Sequence, residues 1–380
     1  MPKGRFFIAV MVFCTIALVI PLIAGCLPDH TRTLNDVPDL ISRAYIDRVV
    51  NYAVSGKSPD MVVAGSSLVV FPHVLADGYF EHVSVPIRDP SEYPEFLSGY
   101  VEMAHFKRIL TDEKCVPMPA NYSIVDLGVP SLMLTDCDML FEKLEANGCL
   151  PKIAVLLLAP RDFMDNTVAK ERNLFLYEVR GKLTLKELSR CKSLFLWQQK
   201  LVECGAYLIN AWAKQFRASS KRVILAVKKI GRPVKKELPS EAFLPEEVSR
   251  RFYFGDGKLS DLRVYDKRYN PPDYSRIDEQ LKAMGRVLDR LKSADVKTVV
   301  INMPLTRENR ALIDKRADSK ILEQMRLTCA RRGVYFFDEN ACNLYTTSDF
   351  VDSVHLNASG GDRFFRRLSA LLCRVLSESR

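Results

Sequence analysis

The sequence predicts an α/β fold in which about five parallel strands are covered by helices on both faces. Short apolar runs of strand length recur along the chain, and segments with helical spacing separate them. One run, Ile153–Leu158, is apolar at every position, as expected for a strand that is buried on both faces. Alternating strands and helices are typical of a parallel sheet. Of the 380 residues, 48% are hydrophobic and 27% are charged, which predicts a packed core rather than disorder.

The predicted elements follow from local patterns. The strands are apolar runs, and the helices carry apolar residues at spacings of three and four. The predicted strands are Met61–Gly65, Ser123–Gly128, Ile153–Leu158, Val296–Asn302 and Gly333–Asp338. The predicted helices are Ile41–Val54, Tyr100–Leu110, Leu132–Ala146, Ile277–Ser293 and Arg307–Arg331. A helical insertion at about 167–275 separates the third strand from the fourth.

The first 26 residues have the pattern of an export signal or membrane anchor. A short basic segment containing Lys3 and Arg5 precedes the uncharged run Phe6–Gly25, and Cys26 follows. One interpretation is a lipoprotein-type signal peptide with Cys26 as the lipidation site. The other is an uncleaved transmembrane span of twenty apolar residues. Both interpretations place the rest of the chain outside the cytoplasm, either periplasmic or at the cell surface. Residues 27–58 are then a stalk with a first helix, and residues 59–375 form the main domain.

The formal net charge of +9 fits nucleic acid, an anionic membrane or an anionic polymer as a partner. Export argues against nucleic acid, so the membrane is the expected partner of the amino-terminal segment. Within the insertion, an apolar helical face over Leu194–Phe216 leads into Lys214–Lys236, which has nine Lys or Arg and no acid. This segment fits a helix at a membrane surface, and it also fits a helix that packs on the domain with solvated lysines. The ten cysteines include no Cys-x-x-Cys pair, so neither a metal nor a cofactor is expected.

Polar residues stand where the predicted strands end. The first strand runs into Ser66 and Ser67, the third is followed by Arg161, and Asp352 and His355 come after the fifth. A Gly-Ser-Ser turn by itself usually caps a helix, and an isolated Asp-x-x-His carries little information. In a parallel sheet, however, ligands bind beyond the carboxyl ends of the strands. At that edge, the same residue types predict a serine nucleophile with a histidine base and an aspartate.

With its blocks in this order, the sequence resembles the SGNH (GDSL-like) hydrolase superfamily, which implies a three-layer flavodoxin-like fold. The resemblance implies that Ser67 is the nucleophile, that His355 is the base and Asp352 its partner, and that Gly128 is an oxyanion donor. Ser66 stands where the superfamily has aspartate. This Gly-Ser-Ser form, with an anchored and exported domain, resembles the branch that contains the D-alanyl-lipoteichoic-acid protein D and alginate O-acetyltransferases.

The third block departs from the superfamily pattern. It reads Ala-Pro-Arg161-Asp162 where Gly-x-Asn-Asp is usual, so the expected asparagine donor is missing. Arg161 could hold an oxyanion or an anionic group of the substrate, or it could be an ion-pair partner of Asp162. Asn166 is a further candidate donor.

Taken together, these features predict a serine esterase or O-acyltransferase that acts on an acylated glycan or envelope polymer. A membrane-bound acyltransferase would be a suitable partner. The alternative is a catalytically inactive carbohydrate-binding or scaffold protein of the cell envelope with the same fold.

Overall fold

The computed structural model describes residues 48–53, 55–82, 102–113, 122–168, 253–255, 259 and 261–378. The predicted signal segment with Cys26, most of the stalk, and the insertion segment Leu194–Lys236 lie outside these residues. Within the described ranges, no helix combines the length and the apolar character that crossing a membrane requires.

The described part of the chain is built around a five-stranded sheet in which all neighbouring strands are parallel. The strands are β1 (Met61–Gly65), β2 (Ile124–Asp126), β3 (Ile153–Leu158), β4 (Lys297–Asn302) and β5 (Tyr335–Asp338). Their spatial order is β2-β1-β3-β4-β5. Each strand lies within two residues of its predicted bounds, because apolar runs of strand length are a local signal. The predicted α/β class with a parallel sheet is confirmed.

Helices pack around this sheet in two groups. The helices in the described ranges are α1 (Ser67–Phe80), α2 (Ala104–Asp112), α3 (Leu134–Asn147), α4 (Arg161–Met164), α5 (Leu262–Tyr269), α6 (Tyr274–Ser293), α7 (Arg307–Arg310), α8 (Lys315–Ala330) and α9 (Ala358–Ser377). Helices α1, α2 and α9 contact one another, and α6 contacts α3, α4 and α8. Every residue of β1 and β3 is buried, so the centre of the sheet is covered on both faces.

The prediction of one helix over Arg307–Arg331 is wrong, because the structure has two. The first is the single turn α7, which the Thr306 hydroxyl caps by accepting the Asn309 N–H. The second is α8, whose N-cap Asp314 accepts the Ala317 N–H. Each side-chain oxygen satisfies a backbone donor that a helix start leaves free, so each fixes a new helix start.

Residues 48–53 form part of a helix that packs into the domain. Val49, Val50 and Ala53 are fully buried. The sequence predicts this stretch as part of the first helix, Ile41–Val54. The structure joins it to the core through Arg48, which donates to the Asp126 and Gly128 carbonyl oxygens.

Candidate active site

Ser67 lies where strand β1 turns into helix α1, at the carboxyl edge of the sheet. Ser66 is the N-cap and Ser67 the first helical residue. The turn passes so close to β3 that a Cβ on Gly65 would lie 2.2 Å from the Leu157 carbonyl oxygen and 2.9 Å from Val69 Cγ2. Only glycine fits there, and this close approach sets where the Ser67 hydroxyl emerges.

His355 and Asp352 lie on a tight loop that enters α9. The Val351 N–H donates to the His355 carbonyl at 2.8 Å, and a bridge between Phe350 and Leu356 closes the loop. The loop brings His355 Nε2 to 2.8 Å from Ser67 Oγ. On the other side of the ring, Nδ1 lies 2.6 Å from Asp352 Oδ2. The hydroxyl, imidazole and carboxylate are therefore connected in series, although 288 residues separate the serine from the histidine.

The carboxylate of Asp352 is held in place and kept ionised. Its Oδ1 accepts the backbone N–H groups of Val354 at 2.9 Å and His355 at 2.8 Å. Burial raises the pKa of the Asp352 carboxyl, but the neighbouring His355 and these hydrogen bonds outweigh it and hold the pKa below its ordinary value. The Phe71 ring, one helical turn after Ser67, stacks on the His355 ring with centroids 4.1 Å apart. The imidazole is thus fixed by contacts at both ring nitrogens and by stacking on one face.

Other elements anchor this loop through Ser353, a residue that the sequence analysis did not select. The Ser353 hydroxyl donates to Asp261 Oδ2 at 2.7 Å and accepts from Asn309 Nδ2 at 2.8 Å. Its carbonyl accepts the Thr306 hydroxyl at 2.9 Å. Asn309 in turn accepts the Tyr269 hydroxyl at 2.9 Å. This chain of hydrogen bonds fixes the loop in the orientation that presents His355 to Ser67.

A small pocket lies beside the Ser67 hydroxyl. Its lining combines the β1 and β3 strand ends with helix α5 and two loops. The lining residues are Ser67, Leu68, Ala159, Arg161, Tyr265, Tyr269, Leu305 and Val354. The Ser67 N–H is one of the donors that the start of α1 leaves without a helical partner. Positive potential at this helix end favours a negative charge in the pocket.

Arg161 follows strand β3 and lines the same pocket. It is 6% exposed, and its ion-pair partner among the described residues is Asp162, at 3.3 Å from NH2 to Oδ1. Burial lowers the pKa of the guanidinium, but the Asp162 carboxylate outweighs it and raises the pKa above its ordinary value. Both roles predicted for Arg161 therefore remain open: it pairs with Asp162, and it also lines the pocket as a permanent cation.

Gly128, the predicted oxyanion donor, has a hydrogen-bond partner within the protein. Its N–H donates to Asp126 Oδ1 at 2.5 Å, so a buried carboxylate accepts it in this structure. A Cβ on Gly128 would lie 2.9 Å from Val69 Cβ and 3.0 Å from Val70 Cγ2. The glycine therefore allows α1 to pack closely on the strand end, and its oxyanion role stays a prediction.

Asn166, the further candidate donor, also has hydrogen-bond partners within the protein. Its Nδ2 donates to the Pro271 carbonyl at 2.7 Å, and its backbone N–H donates to the Arg268 carbonyl at 2.9 Å. It joins the end of α4 to the connection between α5 and α6. Ser66, by contrast, is fully buried and its hydroxyl makes no regular hydrogen bond within the described residues. Burial raises the pKa of Asp162 above its ordinary value, and the nearby Ser66 hydroxyl opposes that shift.

A buried network of charged side chains lies behind α1. His73 Nδ1 is 2.8 Å from Asp126 Oδ2, and Nε2 is 3.2 Å from Asp77 Oδ2. Arg48 NH2 is 3.6 Å from Asp126 Oδ2. Burial lowers the pKa of His73, but the charges of Asp77 and Asp126 outweigh it and raise the pKa to about 9. The two cations balance the carboxylate that holds the Gly128 N–H.

Helix α5 supplies two pocket residues that the sequence analysis missed, Tyr265 and Tyr269. They were assigned to the insertion at about 167–275. Their spacing of four residues places them on one face of a short helix, and this spacing is the signal that could have identified them.

Comparisons with known proteins add little to this geometry. No known protein family and no curated protein matches the sequence. Solved structures that are similar in shape include two esterases. One is Est24, a carbohydrate acetylesterase from Sinorhizobium meliloti, at 11% identity and a TM-score of 0.37, covering 83% of this chain and 99% of that one. The other, assigned as an arylesterase from Agrobacterium tumefaciens strain C58, has 11% identity and a TM-score of 0.34 over the same shares of the two chains. Similarity at this level is too weak to support an argument about function.

Proposed function

We propose that this protein is a serine esterase or O-acyltransferase that uses Ser67, His355 and Asp352 on an acylated glycan or envelope polymer. The observation that carries the proposal is the series of two short contacts, 2.8 Å from Ser67 Oγ to His355 Nε2 and 2.6 Å from His355 Nδ1 to Asp352 Oδ2. A serine hydroxyl reacts only when a base removes its proton, and the base must be held in the correct tautomer. The ionised Asp352 carboxylate accepts a hydrogen bond from the Nδ1–H group, which keeps the proton on Nδ1 and leaves Nε2 free to act as that base.

The reaction begins as Ser67 Oγ attacks the ester carbonyl carbon while its proton passes to His355 Nε2. The carbonyl π electrons move onto oxygen and form a tetrahedral oxyanion. As the intermediate collapses, the bond to the leaving alcohol breaks and His355 returns the proton to that alcohol. An acyl group then remains on Ser67. Water releases it in an esterase, and a sugar hydroxyl takes it in an acyltransferase.

Two donors are available to the oxyanion in this proposal. The first is the Ser67 backbone N–H at the start of α1, and the second is the Arg161 guanidinium. An oxyanion donor in a well-formed site contributes about 3–4 kcal/mol to the transition state. Since Gly128 and Asn166 donate elsewhere, Arg161 is assigned the position of the missing asparagine.

The proposed location is outside the cytoplasm, with the amino terminus in the membrane as a lipoprotein or a transmembrane anchor. Support comes from the sequence, in which the uncharged run Phe6–Gly25 follows Lys3 and Arg5. An anchored esterase would work near envelope polymers, where a membrane acyltransferase could deliver or receive acyl groups.

A non-catalytic glycan-binding or scaffold protein is the second candidate. The observation that favours it is that two predicted oxyanion donors, Gly128 and Asn166, are held by other groups. A fluorophosphonate probe distinguishes the candidates. The full-length enzyme in mild detergent should be labelled at Ser67, and Ser67→Ala and His355→Ala should abolish both labelling and hydrolysis of 4-nitrophenyl acetate. Ser348→Ala, at an exposed hydroxyl away from the pocket, is the matched control and should keep both. A folded protein that the probe leaves unlabelled would favour the binding protein.

A further inference from the structure

Helix α5 presents two tyrosines to the Ser67 pocket, and their hydroxyls differ in one respect. The Tyr269 hydroxyl donates to Asn309 Oδ1 at 2.9 Å. The Tyr265 hydroxyl has no hydrogen-bond partner among the described residues, although the residue is only 6% exposed. Its oxygen is not among the fully buried atoms that lack a partner, so the hydroxyl is open to the pocket, where a ligand can bond to it.

The Tyr265 ring is held firmly. The Arg268 guanidinium lies 5.4 Å from its centroid, and the Tyr269 ring lies 5.8 Å away at 40°. Arg268 is in turn fixed by Asp165 Oδ2 at 2.5 Å. Asp165 directly follows α4, so the tyrosine is tied to the same strand end that carries Arg161. A ring held in this way keeps its hydroxyl in a fixed position without a hydrogen bond of its own.

The charges around the Tyr265 hydroxyl are those of the proposed active site. Burial raises the pKa of this phenol, Arg161 opposes that effect, and Asp352 adds to it. The net pKa lies above the ordinary value, so the hydroxyl keeps its proton and can only act as a neutral donor or acceptor. The charges of Arg161 and Asp352 therefore both act on the phenol, and Tyr265 and Arg161 line the same pocket.

We propose that the Tyr265 hydroxyl donates a hydrogen bond to the carbonyl oxygen of the acyl group that Ser67 attacks, alongside Arg161. This inference rests on the proposed function. As the Ser67 Oγ–carbon bond forms, the carbonyl π electrons move onto oxygen and the Ser67 proton passes to His355. The tyrosine keeps its own proton throughout and stabilises the developing negative charge. It thus adds a neutral donor beside the charged guanidinium of Arg161, which takes the position of the missing asparagine.

The test is Tyr265→Phe in the full-length protein, since this change removes the hydroxyl and keeps the ring between Arg268 and Tyr269. For hydrolysis of 4-nitrophenyl acetate, we expect kcat to fall by about 10²-fold with KM within about twofold, as for loss of one oxyanion donor. Inhibition by ethylboronic acid, whose serine adduct is tetrahedral, should weaken by a similar factor. The matched control is Tyr274→Phe, whose hydroxyl bonds to Asp314 on the surface and whose kcat should equal that of the wild type.

Three results would each overturn the proposal that Tyr265 is an oxyanion donor. A Tyr265→Phe protein with wild-type kcat and boronate affinity would show that the hydroxyl does not reach the oxyanion, while leaving the proposed function intact. A Tyr265→Phe protein that fails to fold by circular dichroism would show that the hydroxyl makes a structural hydrogen bond. A wild-type protein that neither hydrolyses the ester nor is labelled at Ser67 would overturn the proposed function, and this inference with it.

Discussion

The buried His73 cation predicts that stability depends on pH between about 6.5 and 9. The pKa of this histidine is about 9 in the folded protein, against an ordinary value of 6.5. Because the folded state binds the proton more tightly than the unfolded chain, the stabilisation is fully present below pH 6.5 and is lost as the pH rises through 9.

The size of the effect follows from the difference between these two values. They differ by about 2.5, and each pKa unit corresponds to about 1.4 kcal/mol of unfolding free energy. The contribution of His73 is therefore about 3 kcal/mol. His73 is fully buried, so solvent does not screen its interaction with Asp77 and Asp126. A change of this size is a large part of the stability of an ordinary domain.

The assay is urea unfolding of the full-length chain in mild detergent, followed by far-UV circular dichroism at pH values from about 6 to about 9.5. The variants are His73→Gln and, as a matched control, His82→Gln at an exposed position. We expect the stability gap between the wild type and His73→Gln to shrink by about 3 kcal/mol as the pH rises. The His82→Gln protein should follow the wild type throughout.

A gap that stays constant over this range would refute the reasoning. It would mean that His73 is already neutral in the folded state. A neutral His73 would have a suitable partner, since the Met103 N–H lies 3.2 Å from His73 Nε2 and can donate to it when that nitrogen carries no proton.

Three further predictions concern the triad, the first turn and the anchor. Asp352→Asn should lower kcat for ester hydrolysis by about 10⁴-fold with little change in KM, because an amide does not hold the imidazole tautomer that accepts the serine proton; an unchanged kcat would contradict the triad. Gly65→Ala places a Cβ 2.2 Å from the Leu157 carbonyl oxygen, so urea unfolding should show a loss of about 3 kcal/mol. Gly285→Ala, which meets only a flexible arginine end, should show no loss. Cys26→Ser should abolish lipid labelling of the chain, and equal labelling of both forms would leave the transmembrane anchor.

The strands were predictable because their signal is local. Ile153–Leu158 is apolar throughout, and the structure buries all six residues between two layers of helices. The break between α7 and α8 was not predicted, because helical spacing continues across it. Its signal lay in the capping residues Thr306 and Asp314, whose side chains accept the first free N–H groups of each helix.

The oxyanion donors were harder to predict, because the partner of a donor depends on the fold. Asp126 accepts the Gly128 N–H two residues later, which is a local turn that the Asp-Leu-Gly sequence permits. Asn166, however, bonds to Pro271, which is 105 residues away, and no local pattern indicates that contact. Tyr265 lies within the predicted insertion and lines the pocket, and no local pattern indicates that contact.

Arg161 stands where the Gly-x-Asn-Asp pattern has a neutral asparagine, and this difference has an energetic consequence. Burying a guanidinium costs free energy unless several acceptors satisfy it, and here the described acceptor is a single Asp162 oxygen at 3.3 Å. A neutral asparagine would avoid this cost, so the arginine is unfavourable for folding alone. The cost is offset when a negative oxygen enters the pocket, because a preorganised cation then stabilises that charge without reorganisation. Sequence patterns that oppose stability are expected where function requires them. In the proposed function, Arg161, the N-terminus of α1 and the Tyr265 hydroxyl would together stabilise an anion, which is the charge that the transition state of acyl transfer develops.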